Sequence, residues 1–397
     1  MGIDHDILTF DVKFAMAGGS RQQWIAMVVV VVIIGSAPLF WACPYTSIFS
    51  FGDSLADTGN LYFTSTQHHC FLPPYGETYF HHPSGRCSDG RLILDFIAES
   101  LGVPLVKPYV GIKNGKLKGW SVDEGANFAV IGATALDTSF FEEKGIHIIP
   151  SNDSLTVQLN WFKELLSAFC NSSNSCHEVL GNSLFLVGEI GGNDFNYPLF
   201  LRKNIAEVKA YVPYVINAIT SVINELIDLG ARTLMVPGNL PVGCNAVYLT
   251  LYETKDKNQY DPAGCLKWLN EFAEYYNQKL QSELDRLRGL HPHANIIYAD
   301  YYNAALPLYD YPTKFGFTGL KACCGMGGPY NFNASAECGD PGVIACDDPS
   351  QHIGWDGVHL TEAAHRLIAE GLINGPYSLP QFSTLCFMNV SFGYVDV

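Results

Sequence analysis

The strongest constraint on the fold is a rhythm of short apolar runs separated by long stripes with helical spacing. Ser47–Phe51 alternates and then meets Gly52, while Leu184–Val187 is apolar throughout and meets Gly188. Thr233–Val236 and Ile296–Ala299 repeat the signal. A run with no polar face reads as a strand covered on both sides. Between the runs lie three stripes. One spans Leu155 to Phe169. The second runs from Ile205 through Val212, Val215, Ile219 and Ile223 to Leu226, closed by Gly230. The third runs from Cys265 through Trp268, Phe272 and Tyr276 to Leu284. Their three-to-four spacing predicts helices, with the aromatics as core packing. Strand–helix–strand alternation implies right-handed crossovers and a mainly parallel sheet between helical layers, an α/β fold of three layers. No internal repeat or low-complexity linker interrupts it. One domain over residues 45–377 is expected, after an amino-terminal extension (residues 1–42) and before an irregular tail (residues 378–397).

Of the 397 residues, 48% are hydrophobic and 16% charged, which excludes a disordered or fibrous chain. Lys plus Arg total 23 against 39 Asp plus Glu, a net charge of −16. Such a surface has no general attraction to nucleic acid or anionic membranes, so neither is expected as a partner.

The apolar run Ile25–Ile34, with Arg21 before it and Gly35-Ser36-Ala37 after it, reads as a signal peptide rather than an anchor. Gly35, Ser36 and Pro38 interrupt any extension toward the ~20 apolar residues a membrane span needs. A start at Met16 would make the signal more ordinary. Secretion, or delivery to a compartment such as the vacuole, is therefore expected. Sequons at Asn152, Asn171, Asn333 and Asn389 are candidate glycan acceptors. Twelve cysteines in such a compartment read as disulfides, with Cys170–Cys176 the shortest loop to close. No paired C-x-x-C spacing suggests zinc, and His68, His69, His81 and His82 read as a substrate-side loop. No metal or cofactor is expected.

In a parallel sheet, ligands sit beyond the carboxyl ends of the strands. Gly52-Asp53-Ser54-Leu55 follows the first run, Gly188 to Asp194 the second, and Pro237-Gly238-Asn239 the third. The last suits an ordinary turn; the first two are rich in glycine with Ser, Asn and Asp, which suits binding. Near the end stands Asp356-Gly357-Val358-His359. An acid three residues before a histidine can orient one ring nitrogen while the other faces a nucleophile. A serine hydroxyl is inert without such a base, so Ser54 and His359 are natural partners. Asp53 and Asp194 read as turn and cap residues.

Phe51-Gly52-Asp53-Ser54-Leu55-Ala56-Asp57-Thr58-Gly59-Asn60 resembles the first block of the GDSL esterase/lipase family, within the SGNH hydrolase superfamily. Gly125 to Ala133 resembles the second block, Gly191-Gly192-Asn193-Asp194 the third and Asp356 to His359 the fifth. The flanking text is closest to plant members acting on acetylated alkaloids and hydroxycinnamoyl esters. The resemblance implies a flavodoxin-like α/β/α fold and a catalytic Ser54, His359 and Asp356. It also implies an oxyanion hole from the Ser54 and Gly132 backbone amides and the Asn193 side chain. The expected function is hydrolysis of a small or mid-sized ester, acetyl or aromatic, by a monomer. The alternatives are acyl transfer through the same acyl-enzyme, lipase action on longer chains, or a binding protein without catalysis.

Overall fold

The computed structural model describes residues 43–65, 67–169 and 173–387. The expected signal peptide, Cys170 and the sequons at Asn171 and Asn389 lie outside them. Six strands form one sheet in the order β2-β1-β3-β4-β5-β6. They are β1 (Ser47–Phe51), β2 (Gly125–Asn127), β3 (Ser183–Val187), β4 (Thr233–Pro237), β5 (Asn295–Ala299) and β6 (Ser378–Leu379). The first five pair in parallel, and β6 joins β5 antiparallel.

The unbroken apolar runs follow from a sheet covered on both faces. Phe49, Phe51, Phe185, Val187, Leu234 and Val236 point to one side, against helices Leu155–Phe169, Val212–Leu229 and Lys267–Leu290. Ile48, Leu184, Leu186, Met235 and Ile297 point to the other, against Ile93–Leu101, Tyr301–Asp310 and Glu362–Ile373. Phe49 and Phe185 sit side by side in register, ring centroids 5.3 Å apart, and both are fully buried. Truncating either to Ala would cost ~3–5 kcal/mol.

Three local features differ from the sequence reading. The stripe from Ile205 to Leu226 is two helices, Ile205–Lys209 and Val212–Leu229. Pro213 lies in the first turn of the second, where its missing N–H costs nothing, whereas mid-helix it would break the ladder. The three-residue β2 has no periodicity to read. The stretch after Pro376, read as irregular, carries β6 and a helix over Phe382–Phe387, tied back by Cys43–Cys386.

Among the described residues, four further disulfides join Cys70–Cys87, Cys244–Cys265, Cys323–Cys346 and Cys324–Cys338. The last two and Cys70–Cys87 pack around buried Trp355. That cluster anchors the loop carrying Asp356 and His359. The strand order reverses between β1 and β3, because the chain goes to one side of β1 for β2 and to the other for β3. Their carboxyl ends therefore flank an open crevice, the place where such sheets bind ligands.

Candidate active site

The turn after β1 is built to present one serine. Gly52 (φ +151°) lies so close to the next strand end that a Cβ there would come within 2.9 Å of the Glu189 carbonyl. Gln158 clamps the Gly52 peptide from both sides: its Oε1 accepts the Gly52 N–H at 2.9 Å and its Nε2 donates to the Gly52 carbonyl at 2.8 Å. Asp53 Oδ1 then accepts the Leu55 N–H at 3.0 Å, and Ser54 projects from the bend.

Asp57 and Asn60 lace this turn to the segment after β2. Asp57 accepts backbone N–H groups from Gly59, Asn60, Leu61 and Ile131, and the Asn60 amide donates to the Asn127 and Ala129 carbonyls. Burial pushes the Asp57 carboxyl up to about 6, with these donors holding it back from rising further. The lacing brings Gly132 beside the site. Its φ is +79°, and a Cβ there would lie 2.6 Å from the Pro150 ring, so glycine is required. The N–H groups of Ser54 and Gly132 bond to no protein acceptor among the described residues.

From the far end of the chain, the tight turn Asp356–His359 completes the set. His359 Nε2 lies 2.8 Å from Ser54 Oγ, and its Nδ1 lies 2.6 Å from Asp356 Oδ2. A carboxylate only accepts, so Nδ1 carries the proton and Nε2 is free to receive one. Asp356 Oδ1 accepts the backbone N–H groups of Val358 and His359, and Oδ2 also accepts the Tyr75 hydroxyl at 2.8 Å. Burial alone would raise the Asp356 carboxyl, but His359 and these donors hold it well below the usual range. Burial likewise disfavours charge on His359, and the Asp356 carboxylate more than offsets this, lifting the imidazole above its ordinary value.

Asn193, in the first turn of helix Gly192–Phe200, donates to Asp53 Oδ2 at 3.2 Å and to the Ala133 carbonyl at 3.0 Å. Behind it Asp53 and Glu189 form a buried carboxyl pair. Burial first, and then the Glu189 carboxyl, raise Asp53 well above its ordinary value. Asp194 is a tie residue: its carboxylate accepts the Ala135 and Leu136 N–H groups.

The expected residues Ser54, His359 and Asp356 thus meet in one hydrogen-bonded row, with Asn193 alongside. His68 and His69 line the cavity beside them, whereas His81 and His82 are exposed on the loop. Asn152 and Asn333 are exposed. Four contributors were given no role by the sequence reading: Tyr75 and Gln158, and Glu189 and Asn239 within turns it had marked. Gln158 had a visible signal, a polar residue on the buried stripe of its helix. Asn239, in a turn read as ordinary, lines the slot around Ser54.

A serine beside a carboxylate-oriented imidazole, at the switch point of a doubly wound sheet, defines a serine hydrolase-type site. The family model for GDSL-like lipase/acylhydrolase matches residues 48–372. A GDSL esterase/lipase of Arabidopsis thaliana is 58% identical over 348 residues, 86% of this chain and 85% of the relative. A second from the same plant is 56% identical, covering 86% of this chain and 89% of the relative. A sinapine esterase of Brassica napus is 55% identical over 350 residues, 86% of this chain and 88% of the relative. The chain belongs to the GDSL lipase/acylhydrolase family and is an ester hydrolase.

Proposed function

We propose that the chain is a secretory-pathway carboxylic ester hydrolase that works through an acyl-enzyme on Ser54, taking acetyl or aromatic acyl esters of plant specialised metabolites. The observation that carries this is the continuous row from Ser54 Oγ through both ring nitrogens of His359 to Asp356. In the proposed cycle Ser54 attacks the ester carbonyl as His359 takes its proton. Asp356 holds the imidazole in the right tautomer and stabilises the imidazolium.

The oxyanion is received by the free N–H groups of Ser54 and Gly132 and by the Asn193 amide. The longer Asn193 bond, to Asp53, is the one the oxyanion displaces. His359 then returns the proton to the leaving alcohol, and a water activated by the same base releases the acid. The five disulfides among the described residues support maturation in an oxidising compartment. A fluorophosphonate probe tests the core of the reading. It should label wild type at Ser54 and fail to label Ser54→Ala, and His359→Ala should lose both labelling and esterase turnover. Labelling elsewhere, or undiminished turnover in Ser54→Ala, would refute it.

A further inference from the structure

Two cavities of very different size meet at His359. The larger, about 820 Å³, opens beside Asp356 and His359 and is walled by Phe200, Leu251, Met326 and Phe332, with Glu337 at its edge. The smaller, about 40 Å³, contains Ser54 and Asn193 and is closed by Leu240, Val242, Tyr248 and Asn239. Phe200, Val247, Val358 and His359 border both.

The position of the nucleophile relative to this divide decides where each half of an ester goes. In acylation the Oγ–acyl bond forms and the acyl–alkoxy bond breaks. The proton that left Oγ passes from Nε2 to the departing oxygen. The alcohol must therefore lie on the open side of the imidazole, where the large cavity is. The slot is the cavity that contains Ser54 and the Asn193 amide, so the acyl group formed on Oγ extends its substituent into it.

One water needs about 10–15 Å³ of such space, so the slot takes a group equivalent to a few waters. That suits an acetyl or propionyl methyl end, not a phenyl ring or long chain. Its walls are held in place. The Tyr248 hydroxyl donates to Asn196 Oδ1 at 2.5 Å, and the Asn239 backbone is gripped by the Asn277 amide at 2.6 and 3.0 Å. Leu240 and Val242 are nearly buried, so close packing resists widening.

We propose that the enzyme is selective for short-chain acyl esters, acetates foremost, of bulky and mainly apolar alcohols. This rests on the triad reading above and narrows its substrates to the acetyl side, setting aside aromatic acyl groups. The test is a pair of substrate series with purified full-length protein. Among 4-nitrophenyl esters, kcat/KM should fall at least ~10-fold from acetate to hexanoate and to 3-phenylpropanoate. Among acetates, cyclohexylmethyl acetate should exceed ethyl acetate, although their leaving groups are chemically alike. Val242→Ala should narrow the acetate-to-hexanoate ratio, and Phe332→Ala should erode the preference for the bulky alcohol.

Hexanoate or 3-phenylpropanoate matching acetate in the wild type would overturn the proposal, as would an unchanged ratio in folded Val242→Ala. The wild-type series decides by itself if that variant does not fold. A chain that hydrolyses none of these esters and is not labelled at Ser54 would instead bring down the triad reading. The two failures are thus distinct.

Discussion

Tyr75 and Asp356 are 281 residues apart in sequence, yet the Tyr75 hydroxyl donates at 2.8 Å to the same carboxylate oxygen that receives His359 Nδ1–H. The phenol is buried and packs edge-on against Trp355, ring centroids 5.8 Å apart. It stabilises the carboxylate and so moderates its pull on the His359 proton. Removing it leaves Asp356 more basic and raises His359 further. Base catalysis is lost as pH falls through the His359 value, so the acid limb of kcat/KM should move to higher pH in Tyr75→Phe. The plateau should fall about tenfold, the scale of a hydrogen bond to a charged group. A purely structural tyrosine would leave that limb in place, and a pH–rate profile of both proteins decides.

In the proposed cycle, Asn193→Ala removes one donor to the oxyanion while leaving the serine–histidine row intact. Turnover should drop ~10²–10³-fold with little change in KM, because the contact strengthens only in the transition state. Steady-state kinetics showing full turnover would place Asn193 outside the oxyanion hole.

Asp194 provides a stability signature. Burial pushes its carboxyl up to about 7, partly opposed by the Ala135 and Leu136 N–H groups. The folded state therefore holds a proton that the unfolded chain releases near 4. This group's contribution is present at low pH and is lost as pH rises from ~4 through about 7. Because Asn does not titrate, the Tm of wild type minus that of Asp194→Asn should fall across that window, measured by calorimetry at a series of pH values. A constant difference would contradict the assignment.

The Cys43–Cys386 bridge joins the two ends of the described domain across 343 residues. It constrains the unfolded chain and pins the segment after β6, and neither cysteine belongs to the serine–histidine row. Replacing both cysteines by Ser should lower stability by ~2–5 kcal/mol while the folded enzyme keeps its kcat at 25 °C. Chemical denaturation and an ester assay on the same preparation test both halves.

Much of the architecture is written locally. A sheet covered on both faces requires strands without a polar side, so Leu184–Val187 and Thr233–Val236 were readable as central strands from composition alone. Helical spacing carries the same information for Leu155–Phe169. Backbone freedom is also a local property, which is why Gly52 before Ser54 marked a functional turn. What local pattern could not supply was anything depending on which remote segments pack together. The split between Lys209 and Val212 turned on one proline at a helix start, β2 is three residues long, and β6 is ordered by pairing to β5.

The row from Ser54 to His359 spans 305 residues, and only the meeting of the loops after β1 and before helix Glu362–Ile373 aligns its atoms. Tyr75 escaped notice because a lone aromatic in a proline-rich loop has no period, and its role exists only once it touches Asp356. Ser54 and His359 were thus legible as residue types in characteristic local turns. Their distance, the carboxyl pair behind them and the unequal cavities around them are decided by tertiary packing, since a side chain's direction depends on neighbours far along the chain.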